Sequence, residues 1–268
     1  MCQRSSPNFD RSDEHLRSFV QLLLRAEGTC DFRVRSCDRM ASGADAHGAL
    51  GVGFGGGEPT LHPRFSDLCL YGARKTRLAI TFTTHGHHLS DALLERLRGN
   101  VHFIRISMDG IYTTYERLRC RSFSKLLQRL SAVRKIVRFG INYVVNTDTF
   151  PDIGRAAVMA TEIGASELLL LPERPVRNGT GVSEEVMRNL IDWVTKFRGA
   201  IPLSVSTDSC EGLPVCRPFS QESVLSEYAH ISADGRLKAT SFDREGIIIG
   251  PSGIMDALNR LSHEILHL

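Results

Sequence analysis

The chain has 268 residues, of which 42% are hydrophobic and 24% charged, and its formal net charge is +3. This length is enough to bury a large core in one domain, or in one domain with an appendage. No apolar run reaches about 18 residues, which excludes a membrane-spanning helix. The weak net charge predicts no nucleic-acid partner. Seven cysteines without a regular framework favour a reducing cytoplasm over secretion, and residues 2–13 are too polar for a signal peptide.

The chain changes character after residue 48. We predict a helix over residues 13–27, and then an irregular, insertion-like stretch over 28–48 that is too long for an ordinary connection. From residue 49 onward, apolar strands alternate with helices. The predicted strands are 49–54, 79–84, 103–107, 140–146, 167–172 and 203–206. The predicted helices are 64–76, 90–98, 123–138, 152–163 and 183–198.

Short apolar strands separated by helices are typical of a parallel sheet that is covered on both faces. The alternation therefore predicts an α/β fold, as a parallel barrel or an open half-barrel. In such folds the functional residues lie at the carboxyl ends of the strands. We place this domain at residues 1–206, and a C-terminal extension at 207–268 that contains a hairpin around Asp234-Gly235.

The most informative stretch is residues 51–60, Gly-Val-Gly-Phe-Gly-Gly-Gly-Glu-Pro-Thr. Three consecutive glycines allow a sharp turn and a close approach of the backbone to a ligand. The fixed negative charge of Glu58 suits a ligand that carries an ammonium group. It suits phosphate poorly, because no Lys-Ser/Thr pair follows as it would in a phosphate-binding loop. The alternative for such a segment is a tight strand-to-helix turn with an exposed glutamate.

Residues 56–63 resemble the GGEPTLHP segment of radical S-adenosylmethionine (SAM) enzymes. Four further segments follow in the order of that family. Residues 83–86 resemble its third-strand TNG end, with His85 in place of the usual Asn, and residues 104–110 resemble its ISLDG segment. Residues 115–123 resemble the stretch that follows, and 142–146 resemble the fifth strand. The resemblance covers about residues 50–175.

This resemblance implies a partial (β/α)6 TIM-like barrel, with or without its first strand, and a small C-terminal α/β extension. It also implies a site for SAM. The residues that it assigns to the methionine end of SAM are Gly55, Gly56, Gly57 and Glu58. Ser107 would approach the ribose or carboxylate, and Asp109 would shape the turn beside it, although an Asp-Gly turn alone can explain both. Asn146 would bond the ribose or carboxylate.

The family holds a [4Fe-4S] cluster with three thiolates from a C-x3-C-x2-C loop after its first strand, and this chain contains no such triplet. Cys30 and Cys37, with six residues between them, are too far apart for the pattern on our interpretation, and no third thiol is near. Cys2 resembles the tail of a cluster loop. The first strand and two ligands would then lie upstream of Met1. The alternative is that Cys2 is an ordinary terminal thiol.

Residues 207–268 resemble the cysteine-rich SPASM or twitch extension of peptide-modifying radical SAM enzymes. Cys216 would match a cluster ligand there, but Thr240 stands where another cysteine belongs. We therefore expect an extension without a cluster. Cys210 and Cys216 packed as small hydrophobic residues are the simpler alternative. The histidines at 85, 87 and 88 could bind a metal opportunistically, but a native metal site needs more convergent ligands.

Two functions are compatible with these features. The first is an enzyme that cleaves SAM reductively to a 5′-deoxyadenosyl radical, with a peptide or small-molecule substrate and an electron donor as partners. The second is a protein of the same fold without a cluster, which serves as a binding or scaffold partner. The intact glycine–glutamate segment favours the enzyme lineage. No residue receives a catalytic assignment.

Overall fold

In this computed structural model the described residues are 19–23, 34–175, 181–205, 213, 228–240 and 243–266. Four of the cysteines discussed above, Cys2, Cys30, Cys210 and Cys216, lie outside this part of the chain. The interpretations that depend on their surroundings stay predictions.

In the described part of the chain, ten strands form one sheet in the order β10-β9-β8-β1-β2-β3-β4-β5-β6-β7. The strands are β1 Phe19–Leu23, β2 Gly51–Gly55, β3 Ala79–Thr84, β4 Phe103–Ser107, β5 Phe139–Val145, β6 Leu168–Pro172, β7 Leu203–Val205, β8 Tyr228–Ile231, β9 Arg236–Lys238 and β10 Ile247–Ile248. All neighbours from β8 through β7 are parallel, whereas β9 pairs antiparallel with both β8 and β10. The predicted parallel α/β architecture is confirmed.

Helices alternate with the parallel strands, and a last helix follows β10. They are α1 Val34–Ala46, α2 Phe65–Lys75, α3 Asp91–Leu97, α4 Tyr112–Arg119, α5 Phe123–Val133, α6 Ile153–Glu162, α7 Glu184–Lys196 and α8 Gly253–Leu266. Three of them begin after a serine whose hydroxyl accepts a hydrogen bond from the first turn, namely Ser90, Ser122 and Ser183. Such caps satisfy backbone N–H groups that have no partner inside the helix. Within the described residues, no helix has the length and apolar character that crossing a bilayer requires.

The core lies between the sheet and its helices. Residues of β3 and β4 alternate between buried and half-buried, so Ile80, Phe82 and Ile104 are almost completely inaccessible to water. On α5, Leu126, Leu130 and Val133 recur at helical spacing and are fully buried. One face of each element therefore supplies the core, as a covered parallel sheet requires.

Two N-terminal predictions are wrong. A strand, β1, lies inside residues 13–27, which were predicted as a helix, and α1 occupies most of the stretch predicted as irregular. β1 is parallel to β2 on one side and to β8 on the other. Backbone pairing on both edges stabilises an extended conformation, which a local helical pattern does not reveal. In α1, the buried residues are small: Cys37, Ala41 and Ala44 follow the spacing of one helix face.

The barrel therefore has its first strand within this chain. The expectation that this strand lies upstream of Met1 is wrong, because β1 precedes β2 and pairs with it over five residues. Cys2 comes before β1 in the sequence, whereas the family's cluster loop comes after the first strand. The assignment of Cys2 as a cluster ligand stays a prediction.

The C-terminal segment continues the same sheet. β8 and β9 form the predicted hairpin, in which Gly235 adopts a φ of 79°. Thr240, the residue at the expected cysteine position, donates its hydroxyl to Asp243 Oδ1 at 2.8 Å and its N–H to Oδ2 at 2.7 Å. Its side chain closes a local turn. The division of the chain at residue 206 stays a prediction.

Candidate functional site

The carboxyl ends of β2, β3, β4 and β5 meet at one edge of the sheet, because these strands are parallel neighbours. The predicted site residues follow these strands directly. Gly55–Glu58 end β2, Ser107 and Asp109 end β4, and Asn146 follows β5. The fold thus brings the sequence-predicted residues to one rim, which is where parallel α/β proteins bind ligands.

The turn after β2 needs glycine. Gly56 and Gly57 have φ angles of 75° and 52°, in the left-handed region that other residues enter at a cost. A Cβ atom added to Gly57 would meet no other atom within 4 Å, so the backbone here faces open space. An exposed, left-handed backbone turn at the strand end allows a ligand to approach the peptide groups closely.

Glu58 is 8% exposed, and both of its carboxylate oxygens are already bonded within the protein. Oε1 accepts from the Thr60 N–H at 3.2 Å, the Thr60 hydroxyl at 2.5 Å and the Thr84 hydroxyl at 2.7 Å. Oε2 accepts from the His85 N–H at 2.9 Å and lies 3.2 Å from His85 Nε2. Five donors exceed the roughly four acceptor sites of a carboxylate. Glu58 therefore joins the end of β2 to the end of β3.

The tautomer of His85 follows from its two neighbours. The backbone N–H of His87 donates to His85 Nδ1 at 3.1 Å, so Nδ1 is an acceptor and the proton resides on Nε2. Nε2 then donates to Glu58. Burial lowers the pKa of His85, and the nearby Arg121 and His88 lower it further. The negative charge of Glu58 raises this pKa, but the net pKa is lowered. A neutral imidazole at this position takes the place of the asparagine that the family pattern predicts.

The charge on Glu58 is retained. Burial raises the pKa of its carboxyl, but the hydrogen bonds from Thr60, His85 and Thr84 outweigh that effect, and the net pKa is lowered. A ligand ammonium would therefore meet a negative field but no free carboxylate oxygen. Its direct hydrogen-bond acceptors would have to be the carbonyls of the glycine turn.

Asp109 has a structural role. Its Oδ1 accepts the backbone N–H of Val144 at 3.2 Å, and its Oδ2 forms an ion pair with Arg119. It therefore ties the end of β4 to β5 and to α4. Ser107 is half-buried and pairs in register with Asn142 on β5.

Asn146 organises the loop after β5. Its Oδ1 accepts the backbone N–H groups of Asp148 and Thr149, both at 3.0 Å, and the Thr149 hydroxyl at 3.1 Å. This oxygen is occupied within the loop, so the amide nitrogen is the group that Asn146 has left to offer a ligand. The predicted role of Asn146 as a SAM contact stays a prediction.

Sequence reasoning missed the residues that complete this rim. Thr84, 2% exposed, and Thr60 both bond Glu58, and fully buried Tyr115 bonds His87 Nε2 through its hydroxyl at 2.9 Å. A threonine that ends a buried strand beside a carboxylate was a detectable signal. The long-range Tyr115–His87 contact, which joins α4 to the turn after β3, was not.

The sequence profile of the radical SAM superfamily matches residues 10–161, more than half of the chain. The chain belongs to the radical SAM superfamily. The match begins before β1, in agreement with a first strand inside this sequence. No curated protein is significantly similar in sequence.

Solved radical SAM structures share the fold. SuiB of Streptococcus suis has a TM-score of 0.67 at 13% identity, over 87% of this chain and 63% of SuiB. SuiB bound to its precursor peptide SuiA has a TM-score of 0.72 at 12% identity, over 95% of this chain and 68% of SuiB. The structure of anSMEcpe with bound AdoMet has a TM-score of 0.61 at 19% identity, over 85% of this chain and 75% of anSMEcpe. At these identities the similarity concerns the fold alone, and this chain spans only about two thirds of SuiB.

The radical SAM cluster calls for three thiolates after β1, and the residues present do not fit it. Cys37 on α1 is 3% exposed, and burial, with a contribution from Asp38, raises the pKa of its thiol to about 12. It is therefore a core side chain in the absence of iron, and Cys30 and Cys37 together give two thiols where the cluster uses three. Among the described residues, no group of three His, Cys, Asp or Glu side chains is placed to hold a metal ion, and this includes the histidines of the 85–88 turn.

The spacing of Cys30 and Cys37 corrects one sequence-based prediction. A C-x3-C-x2-C motif has six residues between its first and third cysteines, and Cys30 and Cys37 also have six residues between them. The conclusion that they are too far apart is therefore wrong. Both follow β1, as the family's order of elements requires.

Proposed function

We propose that the protein binds SAM at the glycine turn after β2 and recognises a peptide beside it, without cleaving SAM reductively in its present sequence. The observation that carries the SAM proposal is the open, left-handed backbone at Gly57, next to a buried and ionised Glu58. The glycine carbonyls would accept hydrogen bonds from the methionine ammonium, and the field of Glu58 would favour its charge.

The peptide proposal is supported by a groove beside α4. Its lining residues are Tyr112, Thr113, Glu116, Phe123, Ser124 and Leu127. Tyr112 is 53% exposed and has a φ of 46°, a strained conformation for a residue with a side chain. Its ring lies 5.2 Å from that of Phe123. An exposed Tyr112 ring that packs on the buried Phe123 ring offers an apolar surface for a peptide side chain. SuiB, which shares the fold, was crystallised with a precursor peptide.

Reductive cleavage of SAM, with an electron donor as partner, is the second candidate. The intact glycine turn and family membership favour it. It would need an iron–sulfur cluster, and the cysteines of this chain do not fit one. We therefore assign the protein a binding role that is compatible with the rim as it stands.

A matched pair of glycine substitutions tests SAM binding. Gly57 and Gly99 both have positive φ angles, 52° and 70°, and at both an added Cβ meets no atom within 4 Å. Gly57→Ala and Gly99→Ala should therefore cost similar amounts of backbone strain, about 1 kcal/mol each. Equilibrium dialysis with labelled SAM should show at least tenfold weaker binding for Gly57→Ala and unchanged binding for Gly99→Ala. Equal affinities of the two variants would reject this site.

A peptide array probed with the purified protein tests the peptide proposal. Spots that bind the wild type should lose signal with Tyr112→Ala. They should keep it with Val158→Ala, which removes a similarly exposed apolar side chain from α6. A protein that acts only on small molecules would bind no spot above background.

A further inference from the structure

The segment that follows β1 differs from a cluster loop at one position. Three residues separate Cys30 from Val34, and two separate Val34 from Cys37. Val34 therefore occupies the middle position of a C-x3-C-x2-C motif whose first and third cysteines are present. β1 ends at Leu23 and Val34 is the first residue of α1, so the motif follows the first strand and ends in the first turn of the first helix.

We propose that this segment is a cluster loop disabled by a single residue, Val34, and that restoring a thiol there restores cluster binding. An isopropyl side chain has no lone pair to give to iron. Two cysteines alone leave a four-iron cluster one protein ligand short of the three that this family uses. This inference concerns a different segment from the glycine turn, and it stands even if the SAM proposal fails.

The geometry of α1 explains why the defect leaves the fold intact. Cys37 packs as a small apolar residue in line with Ala41 and Ala44 on the buried side of the helix. A Cβ added to Gly43 would lie 3.3 Å from Ile254 on α8, so α1 is held close to its neighbour. A buried thiol in such a position contributes as a hydrophobic group whether or not a cluster binds.

The position along the chain favours restoration. A cysteine at position 34 would complete the three-thiol spacing of the family's loop, and this loop would follow β1, as it does in the family.

Four proteins test the proposal by anaerobic reconstitution with iron and sulfide: the wild type, Val34→Cys, Val34→Ala and the double variant Val34→Cys/Cys37→Ser. Thermal unfolding first establishes that each is folded. Iron counting should give about four irons per chain for Val34→Cys. The other three should retain well under one quarter of that amount. Val34→Ala controls for the loss of the valine side chain, and the double variant controls for adventitious binding to a new thiol.

Two results would overturn the proposal. About four irons in the wild type would mean that Val34 does not disable the loop. A folded Val34→Cys that holds no more iron than Val34→Ala would mean that the missing thiol is not the defect. If Val34→Cys failed to fold, the proposed restoration would be refuted as well. Dialysis of labelled SAM against the iron-free samples reads the glycine turn separately, so failure of either site is distinguishable.

Discussion

The turn after β2 and the segment after β1 follow two neighbouring parallel strands, yet they have kept different shares of the family pattern. The turn keeps its left-handed glycines and a Glu58 that is bonded by Thr60, Thr84 and His85. The segment after β1 has a valine where the pattern has a thiol. The glycine turn and Glu58, which would contact SAM, are present, whereas the segment after β1 has only two of the three thiols that would hold iron.

The difference shows what each group does when no ligand is bound. Glu58 links β2 to β3, so its loss would leave buried donors without acceptors. A cluster thiolate has no such structural role when no iron is bound. Cys37 persists as a core residue, consistent with its burial.

The largest expected effect comes from Glu58→Gln. The substitution nearly preserves volume, but its NH2 group cannot accept the donors that surround Glu58. We expect the free energy of unfolding to fall by about 3 kcal/mol, because buried donors lose a charged acceptor. Urea denaturation measures it, with Glu245→Gln, at an exposed position outside any helix or strand, as the control that leaves the midpoint unchanged. A loss below about 1 kcal/mol would show that Glu58 is not structural.

A smaller effect separates the two possible roles of Cys37. As a core residue, Cys37→Ala should cost about 1 kcal/mol and Cys37→Ser about 2 kcal/mol, because the hydroxyl is buried without a compensating partner. Denaturant unfolding of the iron-free protein measures both. If the serine variant were as stable as the alanine variant, Cys37 would not lie in an apolar environment.

The smallest effect concerns pH. Burial, reinforced by neighbouring cationic groups, lowers the pKa of His87 from 6.5 to about 4, and burial with Lys238 does the same for His230. Both remain neutral in the fold while the unfolded chain takes up protons below pH 6.5. Their contribution to stability is therefore complete above pH 6.5 and is lost as the pH falls toward 4.

Thermal unfolding across that pH range should show a steeper decline for the wild type than for His87→Gln, which no longer titrates. Identical slopes for the two proteins would contradict the half-buried, neutral state of His87.

Most of the barrel could be predicted from the sequence. β3 and β4 were predicted at their observed bounds, because short apolar runs between polar turns have few alternatives. The rim could be predicted as well, since parallel strands end at one edge. β1 could not, because its extended form depends on pairing with β2 and β8, which are distant in sequence.

Within the site, the sequence predicts which residues lie at the rim better than it predicts what their side chains bind. Glu58 was predicted as a ligand contact, but its oxygens bond Thr84 and His85, which only the register of β2 and β3 brings near. Similarly, the oxygen of Asn146 is taken by its own loop. A sequence shows which groups reach a rim, but the competing donors there depend on tertiary contacts.

The most direct test measures SAM and iron on the same sample. Wild-type protein, purified and reconstituted anaerobically, should bind about one SAM per chain in equilibrium dialysis while it holds far less than the four irons of a complete cluster. That result would establish a SAM-binding rim beside a disabled cluster loop. A full complement of iron, with SAM cleaved on reduction, or no SAM binding at all, would contradict it.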